Sequence, residues 1–252
     1  MNPGQWKVHA SSGAQAAQSG DGRWRLLIPP GEAHYRVAQV DDYSGLPRGR
    51  FPQAAPFALQ LRARVSAADL PGTWGFGLWN DPFGMGLGQG AGLRLPALPN
   101  AAWFFYASPP NYLALRESHP AQGFLAAVFC SVRIPGVLML PAAPGLGLLA
   151  WPAAARLIRR LAARLVQEDA AGLKLDPTGW HTYRIEWRKE SAIFGVDGAT
   201  VFESTISPQG RLGLVIWVDN QYAAFPPDGR IRAGVLGSEQ AAWMEVEQVS
   251  AE

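Results

Sequence analysis

Trp180-His181-Thr182-Tyr183-Arg184-Ile185-Glu186-Trp187-Arg188 is followed at once by Ala192-Ile193-Phe194-Gly195-Val196-Asp197-Gly198-Ala199-Thr200-Val201-Phe202. The stretch reads as a hairpin leading into a second one, whose turn is Asp197-Gly198. That dipeptide is favoured in type I′ turns because both central residues need a positive φ. Working outward, Pro208-Gln209-Gly210 precedes the strand pattern Arg211–Asn220, and Trp243–Val249 closes the chain with another. Toward the N-terminus, Arg23–Ile28 and Tyr35–Val40 are short and turn-bounded. Phe57–Val65 sets Phe57, Leu59, Leu61, Ala63 and Val65 against Gln60, Arg62 and Arg64, the period-two signature of a half-buried strand. Gly72–Pro82, Ala102–Tyr106 and Gly123–Arg133 add further strands. So many at this spacing imply an all-β sandwich or barrel.

Composition agrees. With 28 Gly and 21 Pro among 252 residues, a mostly helical chain is excluded, while 48% hydrophobic and 17% charged residues exclude a disordered one. The net charge of +2 provides no footprint for nucleic acid. A single cysteine, Cys130, excludes an intrachain disulfide framework and a multi-cysteine zinc site, and its apolar neighbours mark it as a buried residue. Residues 1–20 are small and polar and read as a mobile leader before one domain over 21–252. They lack the pattern of a secretion signal, so the expected location is cytoplasmic, or extracytoplasmic if a leader has been removed.

One region departs from the strand pattern. Ile134 to Ala155 holds 22 residues without a charge, interrupted by Pro135, Pro141, Pro144 and Pro152. Arg156–Val166 then reads as an amphipathic helix, with Leu157, Ile158, Leu161 and Leu165 on one face and the arginines largely on the other. The plain expectation is a helix packed on the sandwich by its leucines with its arginines in water. The alternative is a membrane-surface contact through residues 134–168. Gly84–Gly92 is rich in glycine but lacks the Lys-Ser/Thr of a phosphate loop, and reads as a surface loop.

The segment Trp180–Phe202, continued by Leu212–Asn220 and Met244–Val249, resembles the strand series of the concanavalin A-like jelly rolls, especially glycoside hydrolase family 16. The resemblance implies a jelly-roll β-sandwich with a helical apolar insertion at about 134–172. Family members carry two or three carboxylates alternating along one strand of a concave face, because a retaining glycosidase needs its nucleophile and acid/base about 5 Å apart. In strand order the equivalent here is Ala101–Tyr106, which contains no carboxylate. Asp219, Asp81, Asp41 and Asp42 are then the candidates for acid/base work. The family also implies a structural calcium held by an acidic residue of the closing strand, here Glu247; no other cofactor is required.

Ten tryptophans need an explanation. Trp180, Trp187 and Trp243 belong to the fold pattern. Trp79, Trp103, Phe105, Tyr106 and Trp217 form a candidate cleft set, with polar contacts from Asp219, Asn220 and Tyr222, and Gly75 and Gly77 leaving a shallow floor that a ligand could approach. Flat indoles suit the apolar faces of sugar rings, and equally an apolar ring-bearing or isoprenoid ligand. The expectation is therefore a ligand-binding protein for an oligosaccharide or small molecule. The alternatives are a divergent enzyme on the same scaffold with the insertion as a lid, and an interaction or membrane-surface module. His9, His34, His119 and His181 form no metal-binding spacing.

Overall fold

The computed structural model describes residues 6–11, 13–82, 94–136, 147 and 150–252. The glycine-rich run 84–92 and most of the uncharged run 137–149 lie outside them. In chain order the strands begin with β1 (Lys7–Ala10), β2 (Gln15–Gln18), β3 (Trp24–Ile28), β4 (Val37–Asp41), β5 (Phe57–Val65) and β6 (Thr73–Trp79). β7 (Ala101–Ala107), β8 (Gly123–Ser131), helix α1 (Pro152–Leu165) and β9 (Val166–Gly172) follow. The chain ends with β10 (His181–Trp187), β11 (Ala192–Val196), β12 (Ala199–Ser204), β13 (Gly213–Asp219), β14 (Gln221–Ala224), β15 (Arg232–Val235) and β16 (Ala242–Ala251).

These strands form a jelly-roll β-sandwich. The first sheet has the order β1-β4-β13-β6-β7-β8-β9 and the second β12-β11-β10-β5-β16-β3-β2, with β14-β15 a separate ribbon. Neighbours in both sheets pair antiparallel, and β13 lies between β4 and β6, far from either in sequence. The hairpin read at Asp197-Gly198 is present, with φ of 51° and 82° at the two residues.

Alternation sorts the side chains. Trp74, Phe76 and Leu78 of β6, Phe104 and Tyr106 of β7, and Leu214, Ile216 and Val218 of β13 point inward. They meet Leu59, Leu61, Tyr183, Ile185, Trp187 and Phe194 of the second sheet. Phe104 bridges the layers, with ring centroids 5.0 Å from Tyr183 and 5.3 Å from Phe194. Burying each such ring contributes roughly 1.5–3 kcal/mol, so the interior is held by aromatic interdigitation.

Two boundaries move relative to the sequence reading. Residues 7–10 and 15–18, expected within a mobile leader, are edge strands: β1 pairs with β4, and β2 with β3. Backbone pairing, not an apolar side-chain pattern, holds them, so periodicity had nothing to register. The insertion also ends earlier than residue 172, because Val166–Gly172 pairs with β8 along its length. The helix runs from Pro152 to Leu165, with Pro152 in its first turn, where proline is tolerated.

Candidate functional site

On the first sheet, the face turned away from the core is aromatic. Register places Gly75, Gly77 and Trp79 of β6 beside Trp217, Val215 and Gly213 of β13, and beside Phe105, Trp103 and Ala101 of β7. The indoles of Trp79 and Trp217 stack with centroids 6.5 Å apart and planes 9° from parallel. Trp103 lies 5.9 Å from Trp79 and 5.6 Å from Trp217, and Phe105 stacks 5.8 Å from Trp217. All three indoles remain partly exposed, while Phe105 is buried beneath them.

The glycines explain how the slab is built. A Cβ on Gly75 would stand 2.7 Å from the Trp217 ring and 2.5 Å from the Phe104 carbonyl. One on Gly77 would stand 2.6 Å from the Trp103 Cβ and 2.4 Å from the Ala102 carbonyl, at a φ of +153°. The floor is therefore covered by the protein's own side chains. A ligand would meet indole, not glycine backbone.

Polar groups flank the slab on two sides. On the β4 side, Trp79 Nε1 donates to the Tyr43 hydroxyl (2.8 Å), and Gln39 Nε2 donates to Asp41 (2.9 Å) and to the same hydroxyl (3.4 Å). Asp41 also accepts from the Tyr43 and Ser44 amides and the Ser44 hydroxyl. His9 Nε2 lies 3.2 Å from Asp41 and 2.8 Å from Ser44 Oγ. Burial pushes the Asp41 carboxyl up, but the bonds from His9, Gln39 and Ser44 outweigh it and hold the group below its ordinary value. Sequence reading missed His9 because it assigned residues 1–20 to a leader.

At the far end of β13, Trp217 Nε1 donates to Thr73 Oγ1 (3.0 Å), which donates to Asp219 Oδ1 (2.9 Å). Asp219 is buried, and burial pushes its carboxyl up to about 7 against the opposing bonds from Thr73 and Gln221. It also helps to raise the neighbouring Tyr35 phenol, which burial takes up to about 12.

The remaining candidates separate from this group. Tyr106 stacks on Trp74 at 5.6 Å inside the core, because it is one residue out of phase with Trp103 and Phe105. Asp81 is ion-paired with the buried Arg94, at a turn where its φ is +46°. Asp42 accepts from Gln53 Nε2 (2.7 Å) and the Leu214 amide (2.8 Å), and burial takes its carboxyl to about 6. Asn220 fastens loops: its side chain bonds the Arg36 amide and the carbonyls of His34 and Leu236. Tyr222 lies in the β14-β15 ribbon over Gly234. Cys130 is buried, and burial raises its thiol.

Glu247 does not fit a calcium ion. Arg62 and Arg23 hold its two carboxylate oxygens at 2.5 and 3.1 Å, so two positive charges stand where a cation would need to be. Among the described residues no group of three or more His, Cys, Asp or Glu side chains could hold a metal ion.

No protein-family model matches this sequence, and no curated protein matches it either. Solved structures do match its fold. Over 98% of this chain and 88% of the other, it is similar to the kappa-carrageenase of Pseudoalteromonas carrageenovora, solved with an oligotetrasaccharide of kappa-carrageenan, at 12% identity and a TM-score of 0.55. Over 100% of this chain and 96% of the other, it is similar to a GH16 protein of the mixed-linkage glucan PUL of Bacteroides ovatus in complex with a product, at 9% identity and a TM-score of 0.51. It also spans 17% of the length of a sialidase chain, at 9% identity over 98% of this chain and a TM-score of 0.47. The first two share the jelly-roll sandwich fold of this chain.

Proposed function

We propose that the outer face of the first sheet binds a carbohydrate chain, with sugar rings stacking on Trp79, Trp103 and Trp217. The observation that carries this reading is three mutually packed, partly exposed indoles, with the partly exposed Gln39 amide beside them on the β4 side. Sugars present apolar C–H faces, which the indoles complement, and a rim of hydroxyls, for which the Gln39 amide is the nearby partly exposed partner. The two fold neighbours above were solved with an oligosaccharide and with a product, which makes glycan fragments the first ligands to try.

A second reading, catalysis on the same face, is favoured by Asp219. A carboxyl with a pKa of about 7, one hydroxyl away from Trp217, is suited to proton transfer near neutrality. Tryptophan fluorescence titrated with a panel of oligosaccharides tests binding, and reducing-end release from the same panel tests turnover. The expected outcome is saturable quenching by at least one oligosaccharide, weakened about tenfold in Trp217→Ala and less in Trp217→Phe, from lost ring stacking. Silence across the whole panel overturns the carbohydrate reading.

A further inference from the structure

Helix α1 sits on the molecule the opposite way round from its sequence pattern. Packing by the leucines was expected, yet Leu157, Leu161 and Leu165 are 51%, 46% and 38% exposed, and Trp151 at the N-cap is 66% exposed. The inward face is Ala155 and Arg159. Arg159 Nη1 donates to the carbonyls of Ala114 (2.7 Å) and Phe225 (2.5 Å), and its guanidinium lies over the rings of Tyr112 and Phe225. Arg156 bonds the Asp228 carbonyl, Arg116 bonds the Ala163 carbonyl, and Gly229 lets the Pro152 carbonyl come close, where a Cβ would stand 2.3 Å from it. Polar clamps thus hold the helix down, with Ile158 half-buried and the three leucines left outside.

That outer surface is ordered. Leu157, Leu161 and Leu165 recur every four residues, and Arg156, Arg160 and Arg164 do the same one position earlier, so an apolar and a basic stripe run side by side. Exposed Val132, whose amide bonds the Leu165 carbonyl, extends the apolar stripe, and exposed Arg133 follows it. No acidic residue occurs between Val132 and Val166. We propose that this face docks on an anionic lipid surface. Leucines and Trp151 would enter the headgroup boundary while the arginines meet phosphates, the arrangement of a helix lying in the plane of a membrane. Charge complementarity selects this occupant: the stripe carries only positive charge, so a second copy would set arginine against arginine. Among the described residues no helix is long and apolar enough to cross a membrane, and this contact requires none.

The test is co-sedimentation of the full chain with phosphatidylcholine vesicles, pure or containing about one-third phosphatidylglycerol. Binding is expected to the anionic vesicles only, and to fall as salt rises. Leu157→Gln with Leu161→Gln should weaken it about tenfold through lost apolar burial. Arg160→Gln with Arg164→Gln should weaken it about 25-fold, at about fivefold per arginine near an anionic surface. All four positions are exposed, so melting temperatures should stay within a few degrees of the parent. Failure of the parent to sediment with anionic vesicles overturns the proposal, as does unchanged binding by both double variants. So does a concentration-dependent dimer that the leucine pair abolishes, which would assign the stripe to a second copy. None of these readouts depends on carbohydrate binding.

Discussion

Both outer faces of the sandwich display tryptophan, with opposite consequences. On the second sheet, Trp180 lies under the guanidinium groups of Arg23, Arg62 and Arg64, and Trp243 under those of Arg25 and Arg64. The same arginines pair with Glu245 and Glu247, so rings and charges there are consumed internally. On the first sheet, among the described residues, Trp79, Trp103 and Trp217 have only one another and Phe105 as ring partners apart from Tyr43 and Phe129, and the nearby carboxylates stand at the margins. An indole on a strand is thus either a structural plate or a ligand platform according to what is packed over it.

The sharpest way to break the first face is Gly77→Ala. Its Cβ would overlap Trp103 and the Ala102 carbonyl at a positive φ, and the expected loss is about 4 kcal/mol, read by chemical denaturation, with the indole slab disrupted. On the second face, Glu245→Ala would leave Arg25 and Arg64 facing each other without their carboxylate. Because both arginines are partly solvated, the expected cost is about 2–3 kcal/mol, with oligosaccharide quenching unchanged.

Asp219→Asn probes the margin of the first face through pH. The folded carboxyl titrates at about 7, above the ordinary unfolded value near 3.9, so the folded state holds the extra proton between them. Its contribution is fully present below about pH 4 and is lost as pH rises through about 7. The asparagine variant should flatten that slope, gaining about 4 kcal/mol relative to the parent between pH 4 and pH 8, measured as unfolding free energy against pH. A slope identical to the parent's would show that Asp219 is not the group responsible. The smallest effect belongs to Trp180→Leu, where loss of cation–π contacts should cost roughly 0.5–1 kcal/mol and leave quenching by sugars intact.

Much of the first face was legible in the sequence. Trp79 falls on the outer side because Trp74, Phe76 and Leu78 alternate with Gly75, Gly77 and Trp79 along β6. β7 was harder: Ala101-Ala102-Trp103-Phe104-Phe105-Tyr106 is apolar on both faces, so alternation groups Trp103 with Phe105 and Phe104 with Tyr106, but nothing local says which pair faces the core. Pairing with Gly75 and Gly77 decides it. Ser44 reaches Asp41 within one turn of chain, but His9 joins the pair only through the β1–β4 pairing, 35 residues from Ser44.

The amino-acid sequence by itself determined the longer alternating strands, the Asp197-Gly198 turn and the sandwich, because alternation and turn chemistry are local properties of the chain. It also placed a helix at 156–166, which the structure shows over Pro152–Leu165. Which way that helix faces was decided only by tertiary structure: carbonyls of Ala114 and Phe225, distant in sequence, supply the acceptors that bury Arg159 and turn the leucines outward. The same holds for the tryptophans. Their number is a property of composition, but whether a guanidinium lies over a ring or the ring packs against other indoles depends on residues brought together from distant parts of the chain.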